Sequence, residues 1–425
     1  ILADDLGYAD GGFQGCKDIP TPHLDRLARS GIRCTDGYVS HPFCSPTRAG
    51  LMTGRYQQRF GHENNPKWLP EDRVAGLPLT EATLPQLMKK AGYITGMVAR
   101  WHLGADPQFH PCARGYDEYF GLRGGGHDYF EHNLFKTDPE KAEAIEYKIP
   151  LHRNREPVEE SEYLTDAFGR EAAAFVSRHK GERWFLYLAF NAPHTPLQAP
   201  QVYLDRVSGI AGEKRRTYGA MVCAMDDAIG RTMDAVRESG REKDTLVFFF
   251  SDNGGPVTVT EASNAPLRGA KGDVHEGGIR VPFVVSWPGV LQPGEYGQPV
   301  CSIDVLATSI ALAGVPGPGK ALDGVNILPF LKGERSGMPH ERLFWRTGGG
   351  STYAVREGSW KLVCPKDGQP ALYDLSKDIG ESENLADARP EKFEGLLKAY
   401  RGWDAELIQP IFQSPRPGKK AAKKK

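Results

Sequence analysis

Apolar runs of strand length alternate with helically spaced apolar residues along about the first 330 residues of the chain. Leu84 to Ala91 reads as a helix closed by Gly92, followed by a short apolar run from Tyr93 to Val98. Tyr163 to Arg178 is helical, and Trp184 to Phe190 is an unbroken apolar strand. Tyr218, Met221, Val222, Met225, Ile229, Met233 and Val236 recur on one helical face that ends at Gly240. The methionines there are read as core filling. Leu246 to Phe250 and Val281 to Trp287 are further apolar strands. Helices alternating with strands that are apolar on both sides predict an α/β fold: a large, mostly parallel central sheet covered by helices on both faces.

Beyond about residue 330 the pattern changes. Leu343 to Arg346, Thr352 to Arg356, Trp360 to Cys364 and Ala371 to Leu375 are short strands separated by Gly and Asp turns, and a helix follows from Pro390 to Ala405. This predicts a smaller C-terminal antiparallel sheet with one helix. The expected division is a large domain over 1–330, a C-terminal subdomain over 331–414, and a disordered, solvated lysine-rich tail over 415–425. Ile1-Leu2-Ala3 reads as the end of a strand whose start is missing, which predicts an exposed gap in the central sheet. No apolar run reaches the ~18–20 residues needed to span a membrane.

Composition narrows the function classes. With 53 Lys+Arg against 54 Asp+Glu in 425 residues, the chain lacks the overall charge that would draw it to nucleic acid or to an anionic membrane. The 49 glycines and 32 prolines follow no repeat and read as many shaped loops. The seven cysteines are odd in number and scattered without a CxxC pair, so a disulfide framework is not expected.

In a doubly wound sheet, chemistry gathers at the carboxyl ends of the strands. Three strand ends here are chemically loaded: Asp4-Asp5-Leu6-Gly7, Asn191-Ala192-Pro193-His194 and Ser251-Asp252-Asn253-Gly254-Gly255. Adjacent carboxylates leaving an apolar strand repel one another and resist desolvation unless a cation neutralises them. Taken singly, these segments also read as a helix cap, a turn or a hydrogen-bonded loop histidine. Together they favour a hard divalent cation, Ca²⁺ or Mg²⁺ rather than zinc. Cys44-Ser45-Pro46-Thr47-Arg48 places a proline at a helix entry, with the helix N-terminus and Arg48 beside the Cys44 side chain. That setting suits a thiolate or an oxygen nucleophile attacking an anion.

The stretch CSPTRAGLMTGRY resembles the signature of the formylglycine-dependent type I sulfatases of the alkaline phosphatase superfamily. ILADDLGY, GYITGMVARWHLG, FLYLAFNAPHTP, FFFSDNGG and PLRGAKGDVHEGGIRVP follow in that family's order, from the first residue to about Pro282. WKLVCPKDGQPALYDLSKDIGESENLA resembles its C-terminal domain. The resemblance implies that Asp4, Asp5, Asp252 and Asn253 bind one Ca²⁺ ion together with Cys44, which a formylglycine-generating enzyme oxidises to formylglycine. It implies that Arg48 holds the formylglycine hydrate, and that Arg100, His102, His194 and Lys271 surround the sulfate of a sulfated carbohydrate or aryl sulfate. In the mechanism it implies, His194 or Lys271 protonates the departing alcohol and His102 takes a proton from the hydrate. By analogy the protein is periplasmic, secreted or lysosome-like, with no nucleic-acid partner.

One departure stands out. The family's Gly-Lys-Trp-His-Leu-Gly is Ala99-Arg100-Trp101-His102-Leu103-Gly104 here. Arginine clamps a sulfate by a planar fork and does not deprotonate near neutral pH, so altered sulfate placement and low activity are expected. Two alternatives stay open: a phosphoester or phosphonate monoester hydrolase of the same superfamily, and an inactive protein that binds sulfated glycans. His62-Glu63-Asn64-Asn65-Pro66-Lys67-Trp68 and the loop from Arg123 to Phe130 are candidates to line the pocket, since aromatic faces suit sugar rings.

Overall fold

The structure, a computed structural model, describes residues 1–130 and 146–414. The lysine-rich tail read over 415–425 lies outside the described residues. The strands are β1 (Leu2–Ala3), β2 (Ile32–Cys34), β3 (Gly37–Tyr38), β4 (Ile94–Arg100), β5 (Glu118–Leu122), β6 (Leu151–Arg153), β7 (Glu156–Val158) and β8 (Trp184–Ala189). They continue with β9 (Val247–Ser251), β10 (Phe283–Ser286), β11 (Gly294–Tyr296), β12 (Val300–Cys301), β13 (Arg342–Thr347), β14 (Thr352–Glu357), β15 (Trp360–Cys364) and β16 (Ala371–Asp374). Ten of them form one sheet in the order β11-β2-β10-β9-β1-β8-β4-β5-β6-β7. Its centre, β9-β1-β8-β4-β5, is parallel, whereas β10 pairs antiparallel with both β9 and β2 and β6 pairs antiparallel with β5.

Both faces of this sheet are dry, and the apolar strands explain why. Along β9, Val247 and Phe249 enter one core while Phe248 and Phe250 enter the other. The first core is closed by α1 (Pro22–Arg29) and by α4 (Leu164–Arg178) against α6 (Glu213–Glu238). There Gly169 lets the helices touch: a Cβ at that position would sit 2.8 Å from the Ala228 Cβ. The second core is closed by α2 (Cys44–Thr53), α3 (Leu84–Lys90) and the helix Asp304–Ala313. α5 (Gln201–Arg206) lies beside α6. Beneath β1, which contributes two residues, an apolar cleft of about 550 Å³ opens between β8 and β9, lined by Leu2, Met52, Leu186, Phe248 and Phe250 among others. Among the described residues, no helix is long and apolar enough to cross a membrane.

The second sheet, β13-β14-β15-β16, is antiparallel throughout. It packs on the two-stranded sheet β12-β3 and the segments beside it: Leu343, Trp345, Val355 and Leu362 pack with Tyr38, Tyr56, Cys301 and Ile303, and the helix Pro390–Asp404 adds Leu396 and Trp403. The Trp345 indole donates to the Val39 carbonyl at 2.7 Å. Charge is sealed into the same interface. Lys361 of β15, fully buried, lies 2.8 Å from both Glu276 and Glu381. Glu276 also accepts from the Tyr38 hydroxyl at 2.6 Å and pairs with Arg280 at 3.2 Å. Burial raises the Glu276 carboxyl, but Lys361, Arg280 and Arg356 outweigh it and hold it at about 2.

This network anchors the segment that carries Lys271, so the small sheet reaches the large sheet's chemistry through Glu276. Replacing the cation tests that anchor. Lys361→Met leaves Glu276 and Glu381 short of a partner in a dry interface, and is expected to lower unfolding free energy by about 3–5 kcal/mol in a denaturant titration.

Candidate active site

Two strand ends and one helix start converge. The Asp4 amide donates to the Ala192 carbonyl at 3.1 Å and the Asp252 amide to the Ala3 carbonyl at 3.0 Å. These bonds carry the parallel pairing one residue past the strands and set Asp4, Asp5, Asp252 and Asn253 side by side, all buried. Cys44 opens α2 after Phe43, and its Sγ lies 3.8 Å from Asp4 Oδ1. One ligand atom from each of Asp4, Asp5, Cys44 and Asp252 falls within 4.8 Å of the others. Asp5 and His102 adopt positive φ, 66° and 56°, which non-glycine residues hold only where the surroundings over-determine them.

The residues fit a hard cation. Asn253 Nδ2 donates to Asp5 Oδ1 at 2.7 Å and to the Gly254 carbonyl at 3.0 Å, leaving Asn253 Oδ1 buried with no hydrogen-bond partner. A carbonyl oxygen orphaned among three carboxylates is an acceptor awaiting a positive charge.

Three basic side chains face the same carboxylates. Arg48 spreads its fork: Nη2 lies 2.8 Å from Asp252 Oδ2 and 3.0 Å from Asp4 Oδ2, Nε donates to Asp252 Oδ2 at 3.1 Å, and Nη1 donates to the Arg100 carbonyl at 2.7 Å. Arg100 places Nη1 2.5 Å from Asp4 Oδ2, and its Nε donates to the Gly125 carbonyl at 2.9 Å. Lys271 Nζ lies 2.7 Å from Asp5 Oδ1 and 2.9 Å from Asp5 Oδ2. Burial pushes the Asp4 carboxyl up to about 7, with Arg100 pulling it down and Asp252 pushing it further up. Burial works against the Lys271 charge, but Asp5 more than offsets this, so Lys271 holds its proton more tightly than a free lysine.

Hydrogen bonds set the two histidines apart. His102 Nδ1 lies 2.9 Å from Arg100 Nη2, and a guanidinium only donates. His102 Nδ1 therefore accepts, and the neutral ring carries its proton on Nε2. His194 Nδ1 lies 2.7 Å from the Thr195 carbonyl, so Nδ1 donates there and the Nε2 lone pair, 3.8 Å from Asp5 Oδ2, is free to accept. Burial, followed by Lys271, pushes His194 down to about 3; burial, followed by Arg100, pushes His102 well below its usual value. Both rings are neutral at ordinary pH.

All the residues read from the sequence as site candidates thus come together: Asp4, Asp5, Cys44, Arg48, Arg100, His102, His194, Asp252, Asn253 and Lys271. Other expectations change. Burial, with the Asp252 and Asp4 carboxylates, pushes the Cys44 thiol up to about 12. His62 and Glu63 are buried supports rather than pocket lining: His62 Nε2 lies 2.7 Å from Ser45 Oγ, and Glu63 pairs with Arg346 of the small sheet at 2.7 Å. In the loop after β5, His127 and Tyr129 are likewise fully buried. Gly125 is needed for close approach, since a Cβ there would stand 2.7 Å from His102 Nε2.

Two residues named in the sequence only as part of a motif or a pocket loop turn out to be supports. Ser45 Oγ donates to the His102 carbonyl at 2.6 Å, tying the start of α2 to the residue with strained backbone. Tyr129 places its hydroxyl 2.8 Å from both the Asn191 and His194 carbonyls. A serine inside a motif and a tyrosine inside a loop carry no periodic signal; only their partners reveal them.

Comparison with known proteins agrees with this geometry. Residues 1–315 match the family model described as Sulfatase, and residues 270–398 match that described as N-sulphoglucosamine sulphohydrolase, C-terminal. The chain is 36% identical to human N-acetylgalactosamine-6-sulfatase over 355 residues, spanning 78% of this chain and 65% of that protein. It is 34% identical to arylsulfatase A of Bos taurus, over 97% of this chain and 87% of that protein. Among solved structures, Ps i-CgsB in complex with k-i-k-neocarrahexaose superposes with a TM-score of 0.89 at 36% identity, covering 97% of this chain and 93% of that one.

The Tyr129 hydroxyl offers a check on how His194 is held. Tyr129→Phe leaves two buried carbonyls short of a donor, and is expected to cost about 1–3 kcal/mol in unfolding free energy. A loss within error of zero in a denaturant titration contradicts the support role.

Proposed function

The chain belongs to the sulfatase family, and we propose that it hydrolyses a sulfate ester of a carbohydrate, with residue 44 as the nucleophile's origin. The observation that carries this reading is Cys44 at the N-terminus of α2 with its Sγ among the Asp4, Asp5 and Asp252 oxygens. The oligosaccharide in the Ps i-CgsB complex supports a carbohydrate substrate.

Asp4, Asp5, Asp252 and Asn253, with the side chain at 44, would hold Ca²⁺, which when bound neutralises sulfate charge and acidifies an adjoining hydroxyl. Oxidised to formylglycine by a maturation enzyme, residue 44 would supply, as the aldehyde hydrate, one hydroxyl to attack sulfur and a second for release of the product. The remaining work falls to ordinary side chains. Arg48 locks Asp4 and Asp252 in place and cannot lose its proton near neutrality. Arg100 presents a guanidinium where the family has a lysine; with Nε on the Gly125 carbonyl and Nη2 on His102 Nδ1, Nη1 beside Asp4 is the group that would reach a sulfate oxygen.

Proton roles follow from hydrogen bonds. The sequence reading gave His102 the part of base; with Nδ1 against Arg100, its free nitrogen instead bears a proton, and His102 acts as a donor to the sulfate or to the developing oxyanion. His194 Nε2 is the available acceptor. Lys271, charged against Asp5, is the proton source for the departing alcohol. A phosphatase with paired zinc ions fits poorly, because the groups of potential ligands among the described residues each include at most one histidine.

Two experiments test this. Cys44→Ala is expected to reduce aryl sulfate turnover to background while circular dichroism and the melting transition stay near the parent's. Retained turnover in that variant removes the mechanism, and faster turnover of an aryl phosphate than of the sulfate removes the substrate class. Ca²⁺ at a hundredfold excess over its dissociation constant is expected to stabilise the protein by about 2.7 kcal/mol in thermal denaturation, an effect lost in Asp252→Ala.

A further inference from the structure

Among the described residues, Arg123 is a cation without a counterion. It follows β5, its carbonyl accepts from the His102 amide at 3.1 Å, and it forms no ion pair among the described residues. Nη1 reaches the Ala105 carbonyl at 3.4 Å, and the buried Nε has no hydrogen-bond partner. Its guanidinium lies over the Trp68 ring, 5.0 Å from the centroid. Around it stand further groups that favour an anion. The Tyr119 hydroxyl is buried, only 2% of the residue is exposed, and it too has no partner. The His110 ring packs edge-on against Tyr119 at 5.4 Å, and Cys112 N–H donates to its Nδ1, which leaves a proton on Nε2. That Nε2 closes no hydrogen bond, the nearby Asn154 carbonyl notwithstanding. His152 and Arg155 complete the cluster, and among the described residues no carboxylate acts on Arg123.

A half-buried charge left unpaired in this way, with its Nε sealed from water, is costly unless something supplies the opposite sign. Its position says what. Asn65 Oδ1 accepts from the Ser45 amide at 3.1 Å, so the segment bearing Trp68 is fastened to the residue after Cys44. Arg123 is fastened in turn to His102. Both sides of the cluster therefore hang from groups of the reaction centre. One face of Trp68 is taken by the guanidinium, and the ring is only half-buried.

We infer that Trp68 and Arg123 form a second subsite, beside the reacting one, for a neighbouring sugar that carries its own acidic group. The sugar ring stacks on Trp68, and its sulfate or carboxylate takes the guanidinium and the Tyr119 hydroxyl. This rests on the sulfatase reading and adds to it that the substrate carries a second anionic group beside the ester that is cleaved.

The test uses full-length Cys44→Ala protein, which binds without turning over, titrated calorimetrically with two disaccharides. One carries a single sulfate; the other carries a second sulfate on the adjacent sugar. The parent is expected to prefer the disulfated ligand, and Arg123→Gln to weaken it by about tenfold while shifting the monosulfated ligand by less than about twofold. Arg123→Lys is expected to recover part of the loss. Should Arg123→Gln not fold, Trp68→Ala removes the platform without removing a charge and carries the same expectation. No preference in the parent, or equal losses for both ligands, overturns the subsite and leaves the sulfatase reading standing. Failure of the parent to bind either ligand counts against both.

Discussion

Everything at the centre of this molecule answers one electrostatic constraint: Asp4, Asp5 and Asp252 are forced together, out of water, at the carboxyl ends of adjacent strands. The parallel pairing of β1 with β9 imposes it, because Ala3 is in register with Ser251 and the next residue of each strand is an aspartate. Three carboxylates this close in a dry interior cannot all ionise unaided. Arg48, Arg100 and Lys271 are the response, each reaching them from a different element: α2, β4 and the loop before the helix Glu276–Ile279. The fold's long-range connections are largely ways of delivering those three cations.

That view gives the small C-terminal sheet a role. Lys361 sits between Glu276 and Glu381, and the Glu276 amide donates to Glu381 at 2.6 Å, so β15 clamps the segment that begins at Lys271. Glu63, pinned by Arg346 of β13, does the same for the segment that supports Ser45. Such pairs add little net stability over apolar packing, but they are intolerant of change on one side only. They fix where two loops of the large sheet lie, and with them Lys271 and the start of α2.

Much of this was legible in the sequence. Apolar runs such as Leu246 to Phe250 announced a sheet buried on both faces, and the loaded strand ends announced a buried cluster of carboxylates. The limits were physical. β2 and β11 are three residues each, too short for periodicity to show, and the antiparallel setting of β10 depends on partners no local pattern names. His62 reads as a polar pocket residue because composition cannot show that its ring is enclosed and bonded to Ser45. The direction of proton transfer was hidden for the same reason. Whether a histidine accepts or donates at its free nitrogen is decided by what faces the other one, and those partners, Arg100 and the Thr195 carbonyl, emerge only in three dimensions.

The substitution at Arg100 then acquires a charge argument. Three carboxylates, Asp4, Asp5 and Asp252, face three basic side chains, Arg48, Arg100 and Lys271, beside two neutral histidines, so the formal charges cancel only when all six are charged. A divalent cation added to that set leaves a surplus of two positive charges. A sulfate monoester brings one negative charge, and one deprotonated hydroxyl brings the other. A phosphate monoester dianion with the same nucleophile exceeds the balance by one unit of negative charge, in a place where water is too scarce to absorb it. An arginine does not shed its proton near neutrality, so the contribution of Arg100 to the count is fixed. On the proposed sulfatase reading, the residue that departs from the family pattern would favour the less charged of the two tetrahedral anions.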